Sequence, residues 1–180
     1  MGNDKLRDCL IVFFLFRFSL FISGCAYSFT GSSVPPHLKT IAVSLFDDQS
    51  GAGQPGLREQ FRETLIAQFA GDNSLQVADK KDADSILEGV ILAVRDEPLV
   101  VEKGETVSKR RVTIVVKAAY QDMKLRKKVW EKELSNWGAY EVGPGAEQKT
   151  KGIDELRKEG IDEAVRKLTE DILLATVSGW

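Results

Sequence analysis

The residues best suited to covalent chemistry stand together near the N-terminus, as Ile22-Ser23-Gly24-Cys25. An aliphatic residue, two small residues and a cysteine make a lipobox pattern. The small pair fits a signal-peptidase cleft, and the thiol accepts a diacylglycerol before cleavage. What precedes it agrees. Lys5 and Arg7 supply a basic start, diluted by Asp4 and Asp8, and an apolar run follows from Cys9 to Ile22, interrupted by Arg17. That run has the length of a signal peptide. It is too short and too broken to span a bilayer, which takes about 20 apolar residues. Met1-Gly2 does not read as a myristoylation start, because Leu6 stands where Ser or Thr is needed. Residues 1–24 are therefore expected to be a cleaved signal peptide, 25–39 a lipidated N-terminus and linker, and 40–180 the folded domain. Ala26, rather than Asp, after the cysteine favours sorting to the outer membrane, with the domain lipid-anchored on the periplasmic face.

Other chemistries find little to work with. His37 is the one histidine, and it follows Pro35-Pro36, where a solvated linker histidine is expected rather than a catalytic one. There is no Gly-rich phosphate loop, no serine nucleophile elbow and no two-histidine metal spacing. With Cys9 removed and Cys25 acylated, no thiol remains for a disulfide or a metal. The sequence therefore reads as a non-enzyme without cofactor or metal. Removing Lys5, Arg7, Arg17, Asp4 and Asp8 from the chain totals leaves 22 basic and 25 acidic side chains, which is no footprint for nucleic acid. Two basic groups stand out. One is Lys109-Arg110-Arg111. The other gathers Lys124, Arg126, Lys127 and Lys128 around a hairpin, with Lys117 on the strand before it. The second group is a candidate site for anionic headgroups or phosphates, which Lys and Arg hold by charge-assisted hydrogen bonds. Plain hairpin solubilisation and edge protection would use the same residues. The clusters Lys80-Lys81-Asp82 and Glu155-Arg157-Lys158-Glu159 read as solvated faces.

The elements that must carry these residues follow from periodicity. Residues 26–39, with paired prolines, read as an extended linker. Thr40–Phe46 reads as a strand with Ile41, Val43 and Leu45 on one face, and Asp47–Gly53 as a loop. Leu57, Phe61, Leu65 and Phe69 recur every four residues and predict a helix that Gly71-Asp72-Asn73 stops. Leu75–Val77 allows a short strand, and Ser85–Val94 a second clear one. Pro98–Gly104 reads as a turn, with local pairing near Glu105–Val107. Arg111–Tyr120 is the best strand. Val112, Ile114, Val116, Ala118 and Tyr120 should be buried, with Arg111, Thr113 and Lys117 facing out. The outward face also carries Val115 and Ala119, so it is less polar than a fully solvated one, which suits a docked partner or merely tolerated surface residues. A turn near 123–126 leads to a return strand, Lys128–Trp137, with Trp130 and Leu134 inward. Gly138–Gly152 reads as a loop, and Ile153–Val177 as a helix with Ile161, Val165, Leu168, Ile172 and Ala175 in a stripe. The expected fold is α+β: two helices packed on one face of a mostly antiparallel, about four-stranded sheet.

Taken in order, several segments resemble the lipopolysaccharide-assembly lipoprotein family, LptE. They are the start Gly24–Phe29, the entry Ser33–Val43, Ala83–Ile91, Arg111–Ile114, the return Lys128–Glu131, and the C-terminal Leu168–Ile172 helix with its Val177–Trp180 end. The resemblance covers nearly all of the mature chain. It implies a non-enzymatic lipoprotein that plugs, and helps assemble, a large outer-membrane β-barrel of the LptD type and that binds lipopolysaccharide through basic residues. Charge and placement, not alignment, nominate Lys117, Lys124, Arg126, Lys127 and Lys128 for that contact. The first strand, Thr40–Asp48, also resembles lipoproteins that activate peptidoglycan synthases and curli-secretion-type lipoproteins, which share a lipobox followed by an α+β domain.

Overall fold

The computed structural model describes residues 34–102, 106–142 and 152–178. Cys25 and the proposed signal peptide lie outside them. The described elements run β1 (Thr40–Val43), β2 (Asp47–Asp48), α1 (Leu57–Asp72), β3 (Gln76–Val77), β4 (Ser85–Glu102), β5 (Thr106–Asp122), β6 (Lys127–Glu141) and α2 (Ile153–Ser178).

The expected α+β architecture is present, with a sheet richer than expected. Six strands run in the order β3-β1-β4-β5-β6, and β2 pairs with β4 beyond the end of β1. β4, β5 and β6 form an antiparallel meander, whereas β1 and β2 lie parallel to β4 and β3 lies parallel to β1. β2 and β3 are two residues each, too short to leave a period in the sequence. Alternation along β5 sets the core: Val112, Ile114, Val116, Ala118 and Tyr120 are fully buried in one cluster with residues of both helices. α1 contributes Leu57, Phe61, Leu65 and Phe69, and ends at Asn73, whose left-handed backbone lets its N–H reach the Phe69 carbonyl. α2 contributes Leu156, Ile161, Ala164, Val165, Leu168 and Ile172. Ala175, expected in that stripe, is only partly buried.

Four boundaries differ from the sequence reading, each for a physical reason. The first strand breaks after Val43. Val43 pairs with Leu87 but Asp47 with Val90, so one extra residue sits on the β1–β2 side. A one-residue slip exchanges faces. Leu45, expected inward, is therefore exposed, while Phe46 turns into the core over Gly89. A Cβ on Gly89 would lie 2.2 Å from the Phe46 ring, so only glycine fits there. The Arg58 and Arg62 side chains of α1 donate to the Phe46 and Val43 carbonyls at the break.

Pro98–Gly104, read as a turn, instead begins with strand: β4 continues to Glu102, paired with Thr106. Beyond Ile91 no strand flanks β4 on its other side among the described residues, so Pro98 forfeits no ladder bond there. Gly138, read as the start of a loop, lies within β6, three residues before its end. A Cβ there would stand 2.0 Å from the Gly160 carbonyl of α2, so Gly138 is a close-packing glycine rather than a terminator. Finally, residues 34–39 do not behave as a linker. Leu38 is buried and Val34 packs on the core.

Candidate functional site

The meander brings the basic group to one end of the sheet. β5 and β6 turn through Met123–Arg126, and Arg126 takes a left-handed backbone (φ 52°) to close the turn. The five nominated cations sit on or near this hairpin, in unequal states. Lys117 faces outward on β5 and meets the Glu131 carboxylate of β6 at 2.9 Å; Lys128 meets the other oxygen of the same carboxylate at 2.7 Å. The two ammonium groups, Lys117 first, hold Glu131 down to a pKa of about 2, and Glu131 in turn raises Lys117. Lys124 is turned aside altogether. Its Nζ lies 2.8 Å from Asp84 Oδ1 and donates to the His37 carbonyl at 2.7 Å. Arg126 and Lys127 are exposed and make no ion pair among the described residues.

Lys124 belongs to a clasp that sequence reading missed. Asp84, just before β4, accepts the backbone N–H groups of Lys39 and Thr40 as well as Lys124, and these bonds, Lys124 first, lower its pKa to about 2. His37 Nε2 lies 2.6 Å from Asp122 Oδ2, and the other Asp122 oxygen accepts the Leu125 N–H. Burial pushes Asp122 upward, but His37 and the backbone donors outweigh it and leave its pKa below the ordinary range. His37 is thus no solvated linker histidine. With Asp84 and Lys124 it pins the entering chain to the hairpin. These partners are 85 to 87 residues apart in sequence, or about 45 for Asp84, and no local pattern announces them. Alternation around Lys117 and around Trp130 sets Lys117 and Glu131 outward, but their meeting depends on the extra residue Val129, between the pairs Gln121–Lys128 and Tyr120–Trp130, which no hydropathy pattern marks.

The other basic group, Lys109-Arg110-Arg111, lies at the far end of β5. Arg110 and Arg157 converge on Asp96: Arg110 Nε is 2.7 Å from Oδ1, and Arg157 Nε is 3.0 Å from Oδ2. Tyr140 donates to Asp96 Oδ2 at 2.8 Å, and Arg157 also donates to Gln54. Burial acts to raise Asp96, yet the three donors hold it below its usual range, and Asp96 raises Tyr140 together with burial. Arg157 therefore leaves the solvated face expected for its segment and fastens the first turns of α2 to the sheet. Arg111 faces outward and pairs with Glu97 at 3.0 Å.

On the outward sheet face, a depression of about 450 Å³ is lined by Leu45, Val90, Ala119, Lys117, Glu88 and Glu131, among others. Leu45 is about two-fifths exposed there; Trp137, on edge strand β6, is equally exposed and carries the Lys167 ammonium of α2 4.8 Å above its ring. Among the described residues no group of three or more His, Cys, Asp or Glu is disposed to hold a metal ion, and no helix is long and apolar enough to cross a membrane.

The described residues form a two-layer α+β domain whose polar groups join in ion pairs and clasps. The protein CT253 from Chlamydia trachomatis has this fold, with a TM-score of 0.57 at 12% identity, covering 79% of this chain and 97% of that one. So does XCC0632 from Xanthomonas campestris, with a TM-score of 0.52 at 11% identity, covering 81% and 90%. No curated protein matches the sequence. The family model for lipopolysaccharide assembly, LptE, matches residues 38–176, and the chain belongs to that family of non-enzymatic lipoproteins.

Proposed function

We propose that this protein is an outer-membrane lipoprotein, anchored through Cys25 on the periplasmic face, that plugs and helps assemble an LptD-type β-barrel and binds lipopolysaccharide. The observation that carries the reading is the family match across 38–176, which begins one residue after His37 and spans α1, every described strand and nearly all of α2. The rigid two-layer domain suits a plug, because a plug must hold its shape while a barrel closes around it. The anionic ligand is assigned to Arg126 and Lys127. Lys117, Lys124 and Lys128 stand outside that pair, since each is held by Glu131 or Asp84. Lipidation is tested by intact-mass measurement of the mature chain, where an unmodified N-terminus reading through Gly24-Cys25 contradicts it.

Affinity purification from detergent-solubilised envelopes tests the partner. A β-barrel should copurify, and depletion should lower surface lipopolysaccharide. The alternative, a lipoprotein that regulates a peptidoglycan synthase, would bring down that synthase and leave lipopolysaccharide unchanged; a curli-secretion-type role would do neither.

A further inference from the structure

The turn that carries Arg126 and Lys127 also carries two apolar side chains in water. Leu125 is 66% exposed and Met123 41% exposed, side by side at the tip of the hairpin. Tight turns are built from Gly, Asn, Asp, Ser and Pro, so Leu and Met there do not serve the turn itself. The backbone that presents them is held. The Leu125 N–H donates to Asp122, the Met123 N–H donates to the Asp84 carbonyl, and Arg126 closes the turn. The neighbouring β3–β4 loop adds Lys80 and Lys81 against Asp79 and Asp82, and Lys124 is matched by Asp84, so the excess charge at this end belongs to Arg126 and Lys127. Apolar side chains flanked by cations are the composition of a segment that settles into a headgroup layer.

The chain itself says which layer. Val34 is nine residues after Cys25, a reach of about 30 Å when extended. The clasp of His37 with Asp122, and of Lys124 with the His37 carbonyl, fixes the incoming chain against this very turn. The opposite end of β5, at Arg110, is twelve residues or about 40 Å further off.

We infer that the β5–β6 turn seats the domain on an anionic phospholipid surface at the foot of its own lipid tether, with Leu125 and Met123 among the headgroups and Arg126 and Lys127 against their phosphates. The inference rests on the lipid at Cys25, and the tether raises the local concentration of membrane at the turn.

The test uses the lipidated mature chain in vesicles of phosphatidylethanolamine and phosphatidylglycerol, without lipopolysaccharide. An environment-sensitive fluorophore is placed at Leu125→Cys or, at the far end, at Ile153→Cys, which is 53% exposed. The expected result is blue-shifted emission, quenched by bilayer-embedded quenchers, at position 125 only. Adding Arg126→Glu and Lys127→Glu should return it to the aqueous value, since each basic residue near such a surface is worth roughly fivefold in binding. Aqueous emission at both positions in floated vesicles overturns the inference while leaving lipidation intact. A shift that appears only when lipopolysaccharide is added also overturns it, and supports the turn as a lipopolysaccharide contact alone. Failure of the chain to float with the vesicles overturns the lipid anchor and the inference together.

Discussion

The two ends of the long β5 strand carry the same kind of charge and use it differently. At the far end Arg110 and Arg157 close on one carboxylate, with Tyr140 completing its shell. At the hairpin end one carboxylate, Glu131, also bridges two cations, but Arg126 and Lys127 remain exposed beside Leu125 and Met123. The sequence Lys109-Arg110-Arg111 looks at least as basic as Lys124–Lys128. What separates them is the local supply of acid. Where strand register delivers Asp96 and Glu97 to the arginines, charge is spent on holding the fold. At the hairpin the acid opposite Lys127, Asp122, is engaged by His37 and the Leu125 N–H, so Arg126 and Lys127 make no ion pair among the described residues.

The sharpest way to break this comparison is to loosen the far end. Gly138→Ala forces a Cβ to within 2.0 Å of the Gly160 carbonyl, so α2 must lift from β6. Overpacking of this kind costs about 3 kcal/mol, measurable by urea denaturation. Next, Asp96→Ala leaves two arginines facing each other without their acid. Removing one partner of a buried pair costs 3–5 kcal/mol; with these side chains 22–30% exposed, about 2 kcal/mol is expected. Tyr140→Phe in the same assay should cost about 1 kcal/mol, one hydrogen bond.

The clasp should respond less in global stability and more in local opening. His37→Ala, or Asp122→Asn, should cost about 1 kcal/mol and raise hydrogen exchange in residues 34–40 while leaving β5 protected. Asp84 gives this a pH signature. Its folded pKa, about 2, lies below the ordinary 3.8. A depressed carboxylate contributes stability above its unfolded pKa and loses it as pH falls through the folded value. Protection of residues 34–40, taken relative to the intrinsic exchange rate at each pH, should therefore fall as pH drops from about 4 to about 2, and Asp84→Asn should flatten that fall. The smallest effect is expected at the hairpin tip. Arg126→Glu with Lys127→Glu should change stability by less than about 0.5 kcal/mol while weakening lipopolysaccharide binding. Lys117→Ala should leave that binding nearly unchanged.

Most of the layer architecture was legible because periodicity reports which side of an element is dry. Val112 to Tyr120 on β5 and Leu57 to Phe69 on α1 repeat every two and every four residues, and both stripes are buried as expected. The misreadings came where backbone fit overrides pattern. Gly138 punctuates the sequence like a turn residue but marks the close approach of a helix carbonyl. The slip between β1 and β2 exchanged Leu45 for Phe46 because a single inserted residue carries no signature in hydropathy. The site was legible in outline only. Charge density located the hairpin, but which lysines are neutralised depends on acids that pair across strands or join distant segments, as Asp84 does with Lys124.

The central claim is that the exposed cations of the β5–β6 turn, and not those elsewhere on the domain, meet lipopolysaccharide. Site-specific photo-crosslinking in living cells tests it most directly, with the photoreactive residue at Lys127 or at Lys158, an exposed lysine at the far end. A lipopolysaccharide adduct at position 127 and none at 158 is the expected result; equal labelling at both, or an adduct at 158 alone, would contradict it.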